Sequence, residues 1–179
     1  MSRLEVNRKI PDFEYNQEGR YMMRFYDRRK TRYTVLLFLR FMGCRFTQYD
    51  VLTYAKHMPQ FQQQDTQVWA IIQSPWKRIE EHYSPSLPPF MLIGDPEAEL
   101  YHRFGVLPAK SKEEMEGTHF HDKIALVEKA GLAGGIKEGE PWQMPAAIVV
   151  NQNNQIIYTY YGKEAADTPS PEKILEQLK

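Results

Sequence analysis

The residue whose side chain is best suited to a chemical reaction is Cys44, the only cysteine among 179 residues. It follows the apolar run 33–39 across a short bridge, and helical spacing of apolar residues begins at Phe46. A thiol at the first turn of a helix lies near unpaired backbone N–H groups and the positive end of the helix dipole, which stabilise a thiolate. Cys44 is therefore predicted to be a nucleophile.

The chemistry open to such a thiolate is attack on a hydroperoxide or on a disulfide. The first reaction gives a sulfenic acid and the second a mixed disulfide, and both need a further thiol for release. Because the chain has no second cysteine, that thiol must come from outside, from a thioredoxin-like protein or a low-molecular-weight thiol. The opposite interpretation stays open, since lone cysteines are often small buried hydrophobic residues.

Alternating strand and helix patterns surround Cys44. A buried strand over 34–40 precedes the cysteine, and a helix over 46–58 follows it, with Pro59 as the stop signal. Further along, the pattern predicts strands at 66–72 and 90–93, helices opened by Ser74-Pro75 and Asp95-Pro96, a helix at about 122–130, a hairpin of 146–150 with 155–161, and a last helix at 170–179. This order indicates an α/β fold.

Length and pattern together predict a single domain over residues 1–179. Within it, residues 1–18 are read as an irregular N-terminal arm and residues 106–143 as an insertion. Composition adds exclusions: Lys+Arg and Asp+Glu balance at 23 each, which disfavours a polyanionic partner such as nucleic acid. No apolar run is long enough to span a membrane, and a cytoplasmic location is expected.

A histidine pair, His119 and His121, is the one feature that suggests a metal. Alternate spacing in an extended strand would put both imidazoles on one side. Zinc sites need three or four ligands, and neither a cysteine nor paired carboxylates stand beside these two. We therefore predict no metal and no cofactor.

Several segments resemble the AhpC/TSA-type redoxin group, specifically its peroxiredoxin-like members, over about residues 34–178. The matching stretches are Leu36-Leu37-Phe38-Leu39-Arg40-Phe41-Met42-Gly43-Cys44-Arg45-Phe46-Thr47, Ala70-Ile71-Ile72-Gln73-Ser74, Ile93-Gly94-Asp95-Pro96, 100–106 and Met144-Pro145-Ala146. Two departures accompany the match. Thr47 replaces the second cysteine of Cys-x-x-Cys, and Leu37 and Phe41 stand where peroxiredoxins have proline and threonine.

The resemblance implies a thioredoxin-like fold, with a central mixed β-sheet flanked by helices and an insertion before the strand that follows a cis-proline. That cis-proline would be Pro145, so Pro145, Met144 and Gly43 are expected to form the binding surface beside Cys44. Activity as an antioxidant oxidoreductase in cell redox homeostasis is likewise implied, and related redoxins often form homodimers.

The remaining site predictions concern residues close to Cys44 in sequence or in the expected fold. Arg40 and Arg45 are the candidates for orienting a peroxide, and Thr47, one turn on, would donate a hydrogen bond to the sulfur. Trp142, three residues before the expected cis-proline, would form an apolar wall for an organic substrate or for a side chain of a partner protein.

Two functions from different classes therefore remain open. The first is a single-cysteine peroxiredoxin-like thiol oxidoreductase. The second is a catalytically silent thioredoxin-fold domain that binds a protein through the Met144-Pro145 face and the insertion. An accessible Cys44 at a helix N-terminus, close to Pro145 and to an arginine, would favour the enzyme. A thiol sealed beneath Phe41, Phe46 and Trp142 would favour the binding domain.

Overall fold

The fold is built on the strand that precedes Cys44, as a computed structural model shows for residues 2–28 and 30–178. Met1 and Lys179, which the expected arm and last helix included, lie outside these residues. In chain order the elements are β1 (Glu14–Gln17), β2 (Tyr21–Arg24), α1 (Phe25–Arg28), β3 (Tyr33–Phe38), α2 (Arg45–Gln63), β4 (Thr66–Ile72), α3 (Trp76–Tyr83), β5 (Met91–Gly94), α4 (Glu99–Arg103), α5 (Lys112–Met115), α6 (Phe120–Lys129), β6 (Ala146–Asn151), β7 (Ile156–Tyr161) and α7 (Pro171–Leu175).

The main sheet has five strands in the order β5-β4-β3-β6-β7. Strands β3, β4 and β5 are parallel, whereas β6 runs antiparallel to both β3 and β7. All six residues of β3 are buried, because this central strand is covered on both faces. The predicted α/β fold with a mixed sheet flanked by helices is confirmed.

The two faces of the sheet carry separate apolar cores. Because side chains alternate along a strand, Val35 and Leu37 point to one face and Leu36 and Phe38 to the other. The first face packs against α2 and α7. The second packs against α4 and the N-terminal segment, where Ile10 is fully buried. The arm predicted as irregular is therefore part of the core and contains β1.

Helix α2 continues beyond the expected stop at Pro59. Proline removes one backbone donor, but Met58 and Phe61, both buried, keep the last turns against the core and the helix runs to Gln63. The strand predicted over 66–72 and the hairpin of β6 and β7 are confirmed.

Two further predictions about local structure are wrong. The Met144–Pro145 bond is trans, and the cis peptide bond found within 2–28 and 30–178 is Ser84–Pro85. An X–Pro bond prefers trans by only about 0.5–1 kcal/mol, so its surroundings rather than its sequence decide the isomer. The histidine pair is not in a strand either: His119 is the N-cap residue of α6 and His121 lies within that helix.

The insertion over 106–143 contains α5 and α6, and its last part lies against the loop that carries Cys44. Among the described residues, no group of three or more histidine, cysteine, aspartate or glutamate side chains is arranged to hold a metal ion. None of the helices in the described ranges is long and apolar enough to cross a membrane.

Candidate functional site

Cys44 is the N-cap residue of α2. Its backbone is extended, with φ −78° and ψ 123°, its N–H donates to the Phe41 carbonyl at 3.0 Å, and its carbonyl accepts from the Gln48 N–H at 3.2 Å. The sulfur therefore lies at the end of the helix where backbone N–H groups lack intrahelical partners. The residue is only 8% exposed.

The guanidinium of Arg40 contacts the thiol directly. Its Nη1 lies 3.3 Å from Cys44 Sγ. The other terminal nitrogen donates to the Pro141 carbonyl and lies 4.0 Å from the sulfur of Met115, while the guanidinium carbon is 5.5 Å from the centre of the Phe41 ring. The guanidinium is a permanently charged donor, and its contacts with Pro141, Met115 and Phe41 hold it beside the sulfur.

A cleft of about 330 Å³ opens beside Cys44, and we refer to it as the cysteine cleft. Its side chains are apolar or basic, and no carboxylate of the described chain lines it. Neither Arg45 nor Lys137 has an acidic partner in the part of the chain that the structure describes. The lining residues are Arg40, Phe41, Gly43, Cys44, Arg45, Phe46, Phe120, Ile124, Gly134, Gly135 and Lys137.

The insertion approaches the cysteine loop more closely than a side chain would allow. The N–H of Gly135 donates to the Gly43 carbonyl at 2.9 Å. A Cβ atom at Gly43 would lie 2.1 Å from the Ile136 carbonyl oxygen, so this position requires glycine for the close approach of two backbones. Gly134 and Gly135 thereby form part of the wall of the cysteine cleft.

Polar side chains at the end of β4 attach the insertion to the sheet. Ser74 Oγ accepts from the Met42 N–H at 2.9 Å and donates to Glu138 at 3.0 Å. Because this hydroxyl is occupied, it does not cap α3 as predicted, and Pro75 takes the N-cap position. Gln73 adds a hydrogen bond of 2.7 Å to Gln143, which is also buried.

A buried ion pair joins α2 to α6 behind the cysteine cleft. Lys123 Nζ lies 2.7 Å from Asp50, whose carboxylate also accepts from the Thr168 hydroxyl at 2.7 Å. Burial raises the pKa of Asp50, and the charge and hydrogen bond of Lys123 act in the opposite direction. The pair holds α6 against the helix that begins at Cys44.

A second carboxylate, Glu164, fixes the start of α6. It accepts from the backbone N–H of His119 at 3.0 Å and lies 2.7 Å from Nδ1 of the same residue. Although Glu164 is only 4% exposed, the imidazole itself is largely exposed. The contact assigns His119 a role in positioning α6 within the insertion.

Four other predicted site residues do not line the cysteine cleft: Thr47, Trp142, Met144 and Pro145. Thr47 is 1% exposed, and its hydroxyl has no hydrogen-bond partner among the described residues, so the predicted bond to Cys44 is absent. Trp142 is 39% exposed and does not line the cysteine cleft. Met144 and Pro145 are buried just before β6, next to the end of β3, and are likewise absent from the lining.

Sequence reasoning missed five residues of the cleft: Phe120, Ile124, Gly134, Gly135 and Lys137. The i, i+4 spacing of Phe120 and Ile124 places them on one helical face, and this signal was available in the sequence. A strand over 119–121, which the histidine spacing suggests, would instead place Phe120 and Ile124 on different elements. Nothing in the sequence around Lys137 distinguishes it from other exposed lysines.

Comparisons with known proteins agree on the fold. The yeast mitochondrial 1-Cys peroxiredoxin, in a structure of its thiol resolving mechanism via glutathione/thioredoxin systems, shares 14% identity with a TM-score of 0.68 over 96% of this chain and 73% of that one. Peroxidoxin BcpB from Mycobacterium tuberculosis shares 13% identity with a TM-score of 0.66, over 98% of this chain and 96% of that one. Thiol peroxidase from Chromobacterium violaceum shares 14% identity with a TM-score of 0.63, over 99% of this chain and 87% of that one.

These similarities confirm a thioredoxin-like fold of the peroxiredoxin type. No curated protein sequence matches the chain closely enough to count as a relative. A family model described as AhpC/TSA antioxidant enzyme matches residues 52–164, which is more than half of the chain, although the match begins after Cys44. By that match the chain belongs to the AhpC/TSA antioxidant enzyme family.

Proposed function

We propose that the protein is a peroxiredoxin-like thiol peroxidase that reduces hydroperoxides through Cys44. The observation that carries the proposal is the 3.3 Å contact between Arg40 Nη1 and Cys44 Sγ at the N-terminus of α2. A helix N-terminus and a guanidinium both favour a thiolate, and a thiolate is the nucleophile that this chemistry needs.

The reaction begins when the thiolate attacks the distal oxygen of the hydroperoxide. A sulfur–oxygen bond forms as the oxygen–oxygen bond breaks, so sulfur is oxidised by two electrons and the peroxide is reduced. The leaving alkoxide takes a proton from solvent and departs as an alcohol, or as water when the oxidant is hydrogen peroxide. Cys44 is left as a sulfenic acid.

Recovery of the thiol requires an external reductant, because the chain holds a single cysteine. One thiol condenses with the sulfenic acid to a mixed disulfide with loss of water, and a second thiol attacks that disulfide and releases Cys44. The yeast structural neighbour is described as a 1-Cys peroxiredoxin with a thiol resolving mechanism via glutathione/thioredoxin systems. A thioredoxin-like protein or a small thiol is the corresponding candidate here.

One observation favours the alternative of a catalytically silent binding domain. Cys44 is 8% exposed and packs in a cluster with Phe41 and Phe46, as an inert buried cysteine would. Disulfide exchange is the other reaction open to the same thiolate. Reaction with a peroxide separates the peroxidase from the other two functions, and reaction with a disulfide separates those two from each other.

The decisive experiment treats the reduced protein with one equivalent of hydrogen peroxide in the presence of a sulfenic-acid trap and follows the intact mass over time. We expect trapping much faster than for free cysteine, and none for Cys44→Ser. Trapping no faster than free cysteine would overturn the peroxidase. Rapid reaction with a small disulfide would then indicate exchange, and no reaction would indicate the binding domain.

A further inference from the structure

We propose that the cysteine cleft selects organic hydroperoxides that combine an apolar body with a carboxylate group. This inference rests on the peroxidase function proposed above and adds the class of substrate. It follows from three properties of the cleft: the sign of its charges, the chemistry of its wall, and the distribution of its cations between the sulfur and the rim.

The charge of the cysteine cleft is of one sign. Arg40, Arg45 and Lys137 line it and no described carboxylate does, although the chain as a whole has equal numbers of basic and acidic residues. Three other clefts of the described chain mix both signs, and a fourth, of about 370 Å³, has one cation, Arg32, and no carboxylate. A cleft of about 410 Å³ beside the N-terminal hairpin, for example, is lined by Asp12, Glu14, Arg24, Glu99 and Arg103. A cleft lined by cations alone concentrates anions.

One side of the cysteine cleft is lined by hydrocarbon side chains. Phe46 and Phe120 meet edge to face with ring centroids 5.2 Å apart, and Phe41 and Ile124 line the same space. Hydrogen peroxide has no group that benefits from this wall. An alkyl or alkenyl chain does, because its burial against the rings removes apolar surface from water.

The three cations are not equivalent. Arg40 is engaged with the sulfur and with the Pro141 carbonyl, so it belongs with the reacting atoms. Arg45 and Lys137 have no acidic partner within the described residues. A substrate with its peroxide group at Cys44 Sγ and its body along the rings would present a distal carboxylate to one or both of these two side chains.

The redox step is the one already described. The Cys44 thiolate takes the distal oxygen of the substrate, the oxygen–oxygen bond breaks, and the organic fragment leaves as a hydroxy acid after protonation by solvent. The carboxylate is chemically unchanged and acts only as the group that Arg45 and Lys137 bind.

A matched pair of oxidants tests the proposal: a hydroperoxide of an unsaturated fatty acid and its methyl ester, both below the concentration at which they aggregate. The second-order rate constant for oxidation of Cys44 is measured by trapping and intact mass, with no reductant present, so that only the first step contributes. We expect the acid to react about tenfold or more faster than the ester at low salt, with the ratio falling as salt is added.

Variants locate the effect. Lys137→Gln and Arg45→Gln should each lower the ratio of the acid to the ester rate constant. Lys129→Gln, a change at an exposed lysine of α6 outside the cleft lining, should leave the ratio unchanged. Lys137 is itself exposed in a loop, so its variant is expected to fold.

The failure of this inference and that of the proposed function are distinguishable. Equal rate constants for acid and ester, with both oxidising Cys44 rapidly, would overturn the substrate class and leave the peroxidase standing. A faster reaction of the acid that neither Lys137→Gln nor Arg45→Gln reduces would overturn the assignment to this cleft. Absence of rapid oxidation by hydrogen peroxide and by both lipid hydroperoxides would overturn the peroxidase and this inference together.

Discussion

Two clefts are both lined by residues of helices α2 and α6, but they differ in whether their charged side chains have partners of opposite charge. In the cysteine cleft, Arg45 and Lys137 have no acidic partner in the described chain. The second cleft, of about 410 Å³, includes Asp50, His119, Lys123 and Glu172 in its lining. There Lys123 pairs with Asp50, His119 with Glu164 and Glu172 with His57, and we call it the paired cleft. Of its charged lining residues, only the exposed Asp122 has no partner of opposite charge in the described chain.

The comparison separates charges that hold the structure from charges that are available to a ligand. A buried charge costs several kcal/mol in solvation unless it is paired, so the Lys123–Asp50 pair commits both groups to the fold. The rim cations of the cysteine cleft are more exposed and remain available for an incoming anion. Removal of a cation should therefore cost stability in one cleft and reactivity in the other.

The largest expected effect comes from Lys123→Met in the paired cleft. The variant leaves Asp50 buried without its cation, and loss of one partner of such a pair typically costs about 3–5 kcal/mol of unfolding free energy. Chemical denaturation measures it. Lys137→Met in the cysteine cleft is the matched control and should leave the midpoint nearly unchanged.

The double variant Asp50→Leu with Lys123→Met checks the cause. If the penalty arises from an unpaired carboxylate, removal of both charges should recover much of the lost stability. A double variant as unstable as Lys123→Met would show that lost packing dominates and would break the comparison.

The pH dependence of the Lys123→Met penalty has a defined sign. Burial raises the pKa of Asp50 above its ordinary value of 3.8, and loss of the lysine raises it further. Between the ordinary pKa of Asp50 in the unfolded chain and its raised pKa in the folded variant, the folded state binds more protons than the unfolded state. The stability of the variant therefore falls as the pH rises through this range. The deficit relative to wild type should be smaller near pH 4 than at pH 7, and a constant deficit would contradict this account.

Arg40→Met should reduce the rate constant for oxidation of Cys44 by hydrogen peroxide by about 10- to 150-fold. The estimate follows from about 1.5–3 kcal/mol for a hydrogen bond to a charged group and 1.36 kcal/mol per factor of ten. Arg103→Met is the control, since that guanidinium donates to the Asp12 carbonyl at 2.7 Å, outside the cysteine cleft. Equal effects of both changes would show that Arg40 has no specific role in the reaction of Cys44.

Gly43→Ala tests the contact between the cysteine loop and the insertion. The added methyl group would meet the Ile136 carbonyl at 2.1 Å, so segment 134–136 must move, at a cost of about 1–3 kcal/mol. Hydrogen exchange at the Gly135 amide should accelerate. Gly134→Ala has nothing within 4 Å of the added atom and serves as the control. Unchanged exchange in Gly43→Ala would show that the hydrogen bond tolerates the methyl group and that position 43 does not require glycine.

The smallest effect is expected for Glu172→Gln, an exposed group of the paired cleft. Hydrogen bonds from its own backbone N–H and from Ser170 lower its pKa, as does His57 to a lesser extent. Its stabilisation is therefore present above the ordinary value of 4.5 and is lost as the pH falls through the lowered folded value. Since the carboxylate is 62% exposed, the loss at pH 7 should be at most about 1 kcal/mol, measurable as a small fall in Tm. A larger loss would mean that exposure does not divide the two kinds of charge.

Much of the fold could be predicted from the sequence because it depends on local patterns. A few neighbouring residues are enough to predict the apolar strands β3 and β4 and the Asn-rich hairpin of β6 and β7. The prediction that Ser74 caps α3 is wrong for a non-local reason, because the Ser74 hydroxyl accepts from the Met42 N–H and donates to Glu138. The prediction that α2 ends at Pro59 is wrong because the burial of Phe61 outweighs the one backbone hydrogen bond that the proline removes.

The candidate site divides in the same way. Arg40 was proposed only because it is near Cys44 in sequence, whereas the structure gives its guanidinium a contact with the sulfur and a second contact with Pro141, 101 residues away. Trp142 and Pro145 were placed by resemblance, and neither lines the cleft. Lys137 enters the cleft only because the insertion folds back over Gly43.

By itself, the sequence determined that one thiol follows a buried strand and precedes a helix, and that any resolving thiol must be external, because these facts depend on residue types and short-range order. Tertiary structure alone decided which cations meet the sulfur, which remain unpaired at the rim, and which are committed to buried pairs. Those outcomes depend on contacts between residues up to about a hundred positions apart, such as Arg40 with Pro141 and Asp50 with Lys123, and no local pattern encodes such distances.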